Sequence, residues 1–223
     1  MNESIITHND FDGVVSAAIC SFIFKIEKIK FAGPNTIARA QIPITENDIV
    51  CDLPYPLECG MWFDHHEGNL QELNYRNIDP TTIEGSFAPL PSCARVIFNY
   101  FKERDHKFPY YIAPLVDETD IIDSFDYRSI EGWRTETPAK IIDSTLKTRF
   151  ENSKSKNNYL RSLVLLLRDN PLEIVAQKPQ IREKYDQFQQ EEKEMLQLIE
   201  NNSLFLSQDK NEEIIIIDLT GFS

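Results

Sequence analysis

The chain has 223 residues, is 41% hydrophobic and carries a formal net charge of -13. That length supports an ordinary core in one large domain, or in one domain plus part of another. The acidic balance argues against a broad basic surface for long duplex nucleic acid, which is held by Lys and Arg set against phosphates. There is no uninterrupted run of about 18 apolar residues, and Met1-Asn2-Glu3 lacks the basic start of a secretory signal, so the expectation is a cytoplasmic protein with no membrane partner. Four cysteines without a C-x-x-C pair read as reduced structural thiols.

In chain order, residues 4–7 read as a strand and 14–25 as a helix whose apolar face is Val15, Ala18, Ile19, Phe22 and Ile23. Residues 28–32, 48–52 and 61–64 read as further strands. Strands separated by helices or crossovers predict an α/β fold, a doubly wound and mainly parallel sheet with helices on both faces. Residues 92–104 read as a helix with Ser92 as its N-cap. Another helix is expected over 111–123, carrying Asp117, Glu118, Asp120 and Asp123. Past about residue 135 the pattern becomes helical, with candidates at 138–150, 159–168 and 171–176. A long polar connector helix follows over 181–200, its narrow apolar stripe at Tyr185, Phe188, Met195, Leu198 and Ile199. Glu213-Ile214-Ile215-Ile216-Ile217-Asp218-Leu219 reads as a late strand, the expected start of a further domain that is absent or cut short.

Three short clusters stand where apolar runs stop: His8-Asn9-Asp10-Phe11-Asp12-Gly13, Cys51-Asp52 and Asp64-His65-His66. Together they hold three of the four histidines. Residues two apart in an extended segment point the same way, so His8, Asp10 and Asp12 can share one side of a strand end. Gly13 lets the chain turn into a helix whose N-terminal amides favour anions. Each cluster alone has a plainer reading, with Asp10 or Asp12 as an N-cap, Asp52 as a turn cap and His65-His66 as a surface loop. Three clusters at three strand ends point instead to one metal site, since open parallel sheets bind ligands outside the carboxyl ends of their strands. Imidazole and carboxylate without thiolate suit Mn²⁺, Mg²⁺, Co²⁺ or Fe²⁺ better than a Cys-based structural zinc site, and ligand type alone leaves zinc open. The carboxylates outnumber the needs of one ion. Two ions bridged by an aspartate would activate a water for displacement at phosphorus.

These segments resemble the first three motifs of the DHH phosphoesterase family, over roughly residues 4–125. The resemblance implies hydrolysis of phosphodiester or phosphoanhydride bonds with two Mn²⁺ or similar ions. It implies that His8 and Asp10 hold one ion and Asp12 the other, that Asp52 bridges them, and that His65 completes the second. His66 would contact the scissile phosphate, and Asp64 would orient the histidines. The family's fourth motif is an aspartate that matches Asp117, Asp120 or Asp123 here, and Asp120 is favoured because it precedes two apolar residues. Ser92 and Arg95 are candidates for the phosphate site.

The H-x-D-x-D-G spacing is nearer the RecJ-like and exopolyphosphatase-related branch than the pyrophosphatases. The family's glycine-rich C-terminal motif has no counterpart here. The organisation implied is a catalytic α/β domain over 1–135, a helical extension over 136–180, a connector helix over 181–203, and the beginning of a C-terminal domain over 204–223. The expected function is metal-dependent hydrolysis of a small nucleotide or short oligonucleotide, with a homodimer as an admissible assembly. The alternatives are a phosphoanhydride hydrolase and a truncated, non-catalytic metal- or nucleotide-binding protein.

Overall fold

The expected alternation is realised as a five-stranded parallel sheet in a computed structural model that describes residues 2–205 and 215–217. The strands are β1 (Ser4–Thr7), β2 (Ile29–Phe31), β3 (Asp48–Cys51), β4 (Met61–Asp64) and β5 (Gly85–Phe87), in the order β2-β1-β3-β4-β5. Every neighbouring pair is parallel. The winding reverses between β1 and β3, which opens a crevice at their carboxyl ends. His8 and Asp52 follow those two ends.

The connecting elements are α1 (Phe11–Phe24), α2 (Pro34–Ala38), α3 (Glu67–Tyr75), α4 (Cys93–Lys102) and α5 (Ile112–Ser124). The helical remainder comprises α6 (Ile130–Arg134), α7 (Pro138–Leu146), α8 (Ser153–Asp169), α9 (Leu172–Ala176) and the long α10 (Pro179–Asn201). Successive strand side chains point to opposite faces of a sheet, and this divides the core in two. Ile5, Ile49, Cys51, Met61 and Phe63 pack with residues of α1, α4, α5 and α8. Ile6, Val50 and Trp62 pack on the other side with Leu53 and with Leu73 of α3. A large apolar side chain buried this way contributes about 1.5–3 kcal/mol. The Trp62 indole also donates to the Leu53 carbonyl at 2.9 Å, so its one polar atom is satisfied.

Several boundaries differ from the expectation for local reasons. The first helix begins at Phe11 because Asp10 caps it, accepting from the Gly13 amide at 2.9 Å. The helix expected at 159–168 starts at Ser153, where Asn152 and Ser155 form a reciprocal capping box. The helix expected over 138–150 ends at Leu146. Strand β5 was not expected: it has three residues and opens on Gly85, whose φ of 122° and contact with the Trp62 backbone leave no room for a side chain. Helix α3 also escaped notice, since only Leu73 of its nine residues is buried. In the stripe expected along α10, Tyr185 is buried and Phe188 packs against the core, whereas Met195 is exposed. The late strand is described as β7 (Ile215–Ile217), antiparallel to β6 (Ser203–Phe205). Its other expected positions lie outside the described residues. Among the described residues no helix is long and apolar enough to cross a membrane.

Candidate metal centre

The carboxyl ends of β1, β3 and β4 bring the three clusters together, and the last turn of α5 adds a fourth. Gly13 lies against the His8 backbone so closely that a Cβ there would stand 2.4 Å from the His8 carbonyl oxygen. His8 and the N-terminus of α1 are therefore held together by the absence of a side chain. Asp12, in the first turn of α1, is 1% exposed. It accepts from the amides of Cys93 at 2.7 Å and Ala94 at 2.9 Å, the free donors at the start of α4. Asp52 is 3% exposed and sits in a left-handed turn at φ 56° directly after β3.

At the end of β4, Asp64 is fully buried and makes a bracket. It accepts from Asn69 Nδ2 at 2.7 Å and pairs with His66 Nδ1 at 2.9 Å. That hydrogen bond raises the His66 pKa above the ordinary value, against the opposing effect of burial. His66 itself is half exposed.

His65 reveals the chemistry of the centre. Its Nδ1 lies 2.9 Å from the Leu90 carbonyl oxygen, an acceptor, so Nδ1 carries a proton, and in the neutral ring, the form that binds a cation, Nε2 offers a lone pair. That lone pair faces oxygens of Asp12 at 3.6 Å, Asp52 at 3.6 Å and Asp123 at 3.4 Å. With the His65 ring neutral, four acceptors converge with no donor between them. Asp52 Oδ1 and His65 Nε2 are buried atoms without a hydrogen-bond partner. Unsatisfied buried polar atoms of this kind cost about 1–3 kcal/mol each, and a cation among them removes that cost. The chain's own charges register the crowding. Burial first, and then the Asp123 carboxylate, push Asp12 well above the usual carboxylate range. Burial and then Asp12 do the same to Asp52. Asp10 is the exception: burial raises it, but the His8 hydrogen bond and charge prevail and hold it low.

Three sets of donor atoms each fall within 4.8 Å of one another: His8, Asp10 and Asp52; Asp12, His65 and Asp123; Asp52, His65 and His66. Asp52 and His65 each belong to two sets. The residues therefore fit a divalent cation.

The sequence reading favoured Asp120 as the fourth acidic element, and the fold puts Asp123 beside His65 instead. Asp120 faces α4, where it accepts from Ser92 Oγ at 2.6 Å and Arg95 Nε at 2.8 Å. Arg95 also pairs with Asp117 at 2.5 Å. Ser92 is fully buried as the α4 N-cap. Ser92 and Arg95 thus form a clamp between α4 and α5 rather than a face toward ligand. A signal for Asp123 was present: it is an acidic residue in the last turn of α5, which has no basic residue there, and the helix dipole disfavours that placement.

A cavity of about 550 Å³ opens beside the cluster, with Asp10, Asp12 and Asp123 on one wall and Phe125, Tyr127 and Trp133 on another. A second cleft is lined by His8, Asp52, His66 and Asn69. The sequence reading anticipated none of the three aromatic residues.

Neither a family profile nor a curated protein sequence matches this chain. Solved structures do. The chain shares its fold with a pGpG-specific phosphodiesterase. That protein, PggH from Vibrio cholerae, is 23% identical with a TM-score of 0.77, over 99% of this chain and 69% of its own. An uncharacterized protein from Helicobacter pylori G27 matches at 14% identity with a TM-score of 0.50, over 94% of this chain and 74% of its own. At these identities the likeness speaks for the fold.

Proposed function

We propose that this chain is a divalent-metal-dependent phosphodiesterase of the DHH type, hydrolysing small nucleotides or short oligonucleotides. The observation that carries the reading is the convergence of the His65 lone pair with Asp12, Asp52 and Asp123, two of whose atoms are buried without partners. The fold shared with a pGpG-specific phosphodiesterase supports the substrate class. The net charge of -13 supports a small substrate over a long polyanion.

In this reading His8, Asp10 and Asp52 would hold one ion, and Asp12, His65 and Asp123 would hold another. Mn²⁺ suits the donor set, with Mg²⁺ or Co²⁺ as substitutes. When bound, such ions supply Lewis acidity toward phosphoryl oxygens and a water reactive at neutral pH. The protein does the rest. The α4 amides fix the Asp12 carboxylate, and the Leu90 carbonyl fixes the His65 tautomer. Asp64 favours protonated His66, whose Nε2–H then donates to a phosphate oxygen at the half-exposed mouth of the centre. We also assign residues 1–135 to the catalytic domain, 136–180 to its helical extension and 181–203 to a connector.

The test is hydrolysis by metal-stripped protein with Mn²⁺ restored, across pGpG, other short oligonucleotides, pAp, cyclic dinucleotides, polyphosphate and pyrophosphate, with Asp52→Ala as control. Manganese-dependent cleavage of a short oligonucleotide, lost in the variant, is the expected result. Turnover confined to polyphosphate or pyrophosphate would make the chain a phosphoanhydride hydrolase. Metal binding without turnover on any substrate would make it a binding protein.

A further inference from the structure

We propose that the cavity beside Asp10, Asp12 and Asp123 is a nucleobase subsite, in which Phe125 and Trp133 stack on a base of the substrate and Arg134 meets a phosphate. This rests on the phosphodiesterase reading above and adds to it the groups that recognise the nucleoside. Phe125 is 66% exposed and Trp133 48% exposed, a costly arrangement for two large aromatic side chains unless something covers them. Their ring centroids lie 6.4 Å apart on the wall of one cavity. Phe125 also occupies the left-handed region at φ 57°, where a bulky residue is disfavoured. It does so two residues after Asp123, so the same turn that ends α5 delivers both a carboxylate to the metal centre and an aromatic face beside it.

The aromatic wall is braced. Tyr127 stands edge-on to Phe125 with centroids 5.1 Å apart. The Lys140 amine donates to the backbone carbonyls of Trp133 and Thr135, and lies 5.3 Å from the Tyr127 ring centre. Rigid aromatic faces present contact area at little entropic cost on binding.

Charge selects the occupant. Lys140 is engaged by those carbonyls, and Lys147 pairs with Asp143 at 2.6 Å. Among the described residues two cations of this cavity, Arg134 and Lys140, have no ion-pair partner, and of these Lys140 is hydrogen-bonded to the two carbonyls, which leaves Arg134 for an anion although Glu136, Asp143 and Glu192 also line the cavity. An occupant must therefore offer a flat π face to Phe125 and Trp133, an anion to Arg134, and a phosphate toward the carboxylate wall and its cations. A dinucleotide with a 5′-phosphate does all three, and a mononucleotide such as GMP meets the first two. The volume, about 550 Å³, falls in the usual range for small-molecule sites. Inorganic pyrophosphate would leave the aromatic wall bare.

Tryptophan fluorescence reads the subsite without turnover. Trp62 is 1% exposed and lies in the other core cluster, so a quench by added ligand reports Trp133. The full chain with Mg²⁺ is titrated with GMP and with ribose 5-phosphate. We expect saturable quenching by GMP, none by ribose 5-phosphate, and none by GMP in Trp133→Phe. Phe125→Ala, checked by its melting curve, should weaken GMP binding roughly 5- to 150-fold, as for loss of one base–aromatic stack. Arg134→Gln should weaken GMP while leaving guanosine unchanged. Absence of a GMP quench in a protein that still cleaves dinucleotides overturns the subsite and leaves the phosphodiesterase standing. Equal quenching by ribose 5-phosphate, or GMP affinity unaltered in Phe125→Ala, overturns it as well. Quenching in a protein that cleaves no phosphodiester would overturn the enzymatic reading alone.

Discussion

Replacing Asp52 with asparagine separates a cation site from an ordinary buried hydrogen-bond cluster, because the two predict opposite signs in protein stripped of divalent ions. His65 Nε2 stands 3.6 Å from an oxygen of Asp12 and 3.6 Å from an oxygen of Asp52. Two such oxygens are no more than about 7 Å apart, and unit charges at that separation in an effective dielectric near 20 repel by roughly 2 kcal/mol. Asp52 is raised on folding by burial and then by Asp12. A carboxyl raised on folding contributes its stability below its unfolded pKa, near 4, and loses it as pH climbs through the folded value. Asparagine matches the shape and carries no charge. Stripped Asp52→Asn is therefore expected to exceed stripped wild type by about 1–2 kcal/mol at pH 8, or roughly 2–8 °C in Tm for a chain of this size. The gap should shrink at pH 5. Mn²⁺ should reverse the order: at about a hundredfold above its Kd it adds about 2.7 kcal/mol to wild type, and much less to the variant. Calorimetric melting of both proteins at the two pH values, with and without Mn²⁺, checks this. A stripped variant that melts below wild type at pH 8, or equal gains from Mn²⁺, would refute the reasoning.

Three further outcomes follow from the same geometry. Asp64→Asn removes the largest influence raising His66, so the His66 pKa in stripped protein should fall, as read by NMR titration of its ring protons; an unmoved titration would remove Asp64 from its orienting role. Arg95→Ala cuts the α4–α5 clamp to Asp117 and Asp120 and should cost about 1–3 kcal/mol of stability, together with weaker Mn²⁺ binding in calorimetric titration, because Asp123 sits at the end of the helix the clamp holds. Alanine in place of glycine within a helix usually gains about 1 kcal/mol, yet Gly13→Ala should destabilise the protein, since its Cβ would stand 2.4 Å from the His8 carbonyl oxygen. A Gly13→Ala protein that melts higher than wild type would show that His8 is not held this way.

The parts of the fold that could be read from the chain are those governed by neighbours a few residues apart. The strand at Ser4–Thr7, the helix after Gly13 and the strand at Met61–Asp64 announce themselves by apolar runs and turn residues. Elements whose burial depends on distant partners stayed hidden. Strand β5 is a glycine and two residues held by β4, and α3 shows a single buried side chain.

The candidate site divides along the same line. His8, Asp10, Asp12, Asp52, Asp64, His65 and His66 were legible because each ends a strand or follows one within five residues, and parallel strands deliver their carboxyl ends to one edge. Among Asp117, Asp120 and Asp123 the sequence reading favoured Asp120. They lie three residues apart on one helix, and only the packing of α5 against α4 turns Asp120 to Arg95 and leaves Asp123 for His65. The aromatic cavity was equally invisible, for Phe125 and Trp133 meet through a left-handed turn and a short helix that local pattern does not specify. The order of residues along the chain determined which ligand types arrive at the switch point of the sheet. Tertiary packing decided which carboxylate lies beside His65 and which aromatic residues line the adjoining cavity, because those contacts join residues that the sequence keeps far apart.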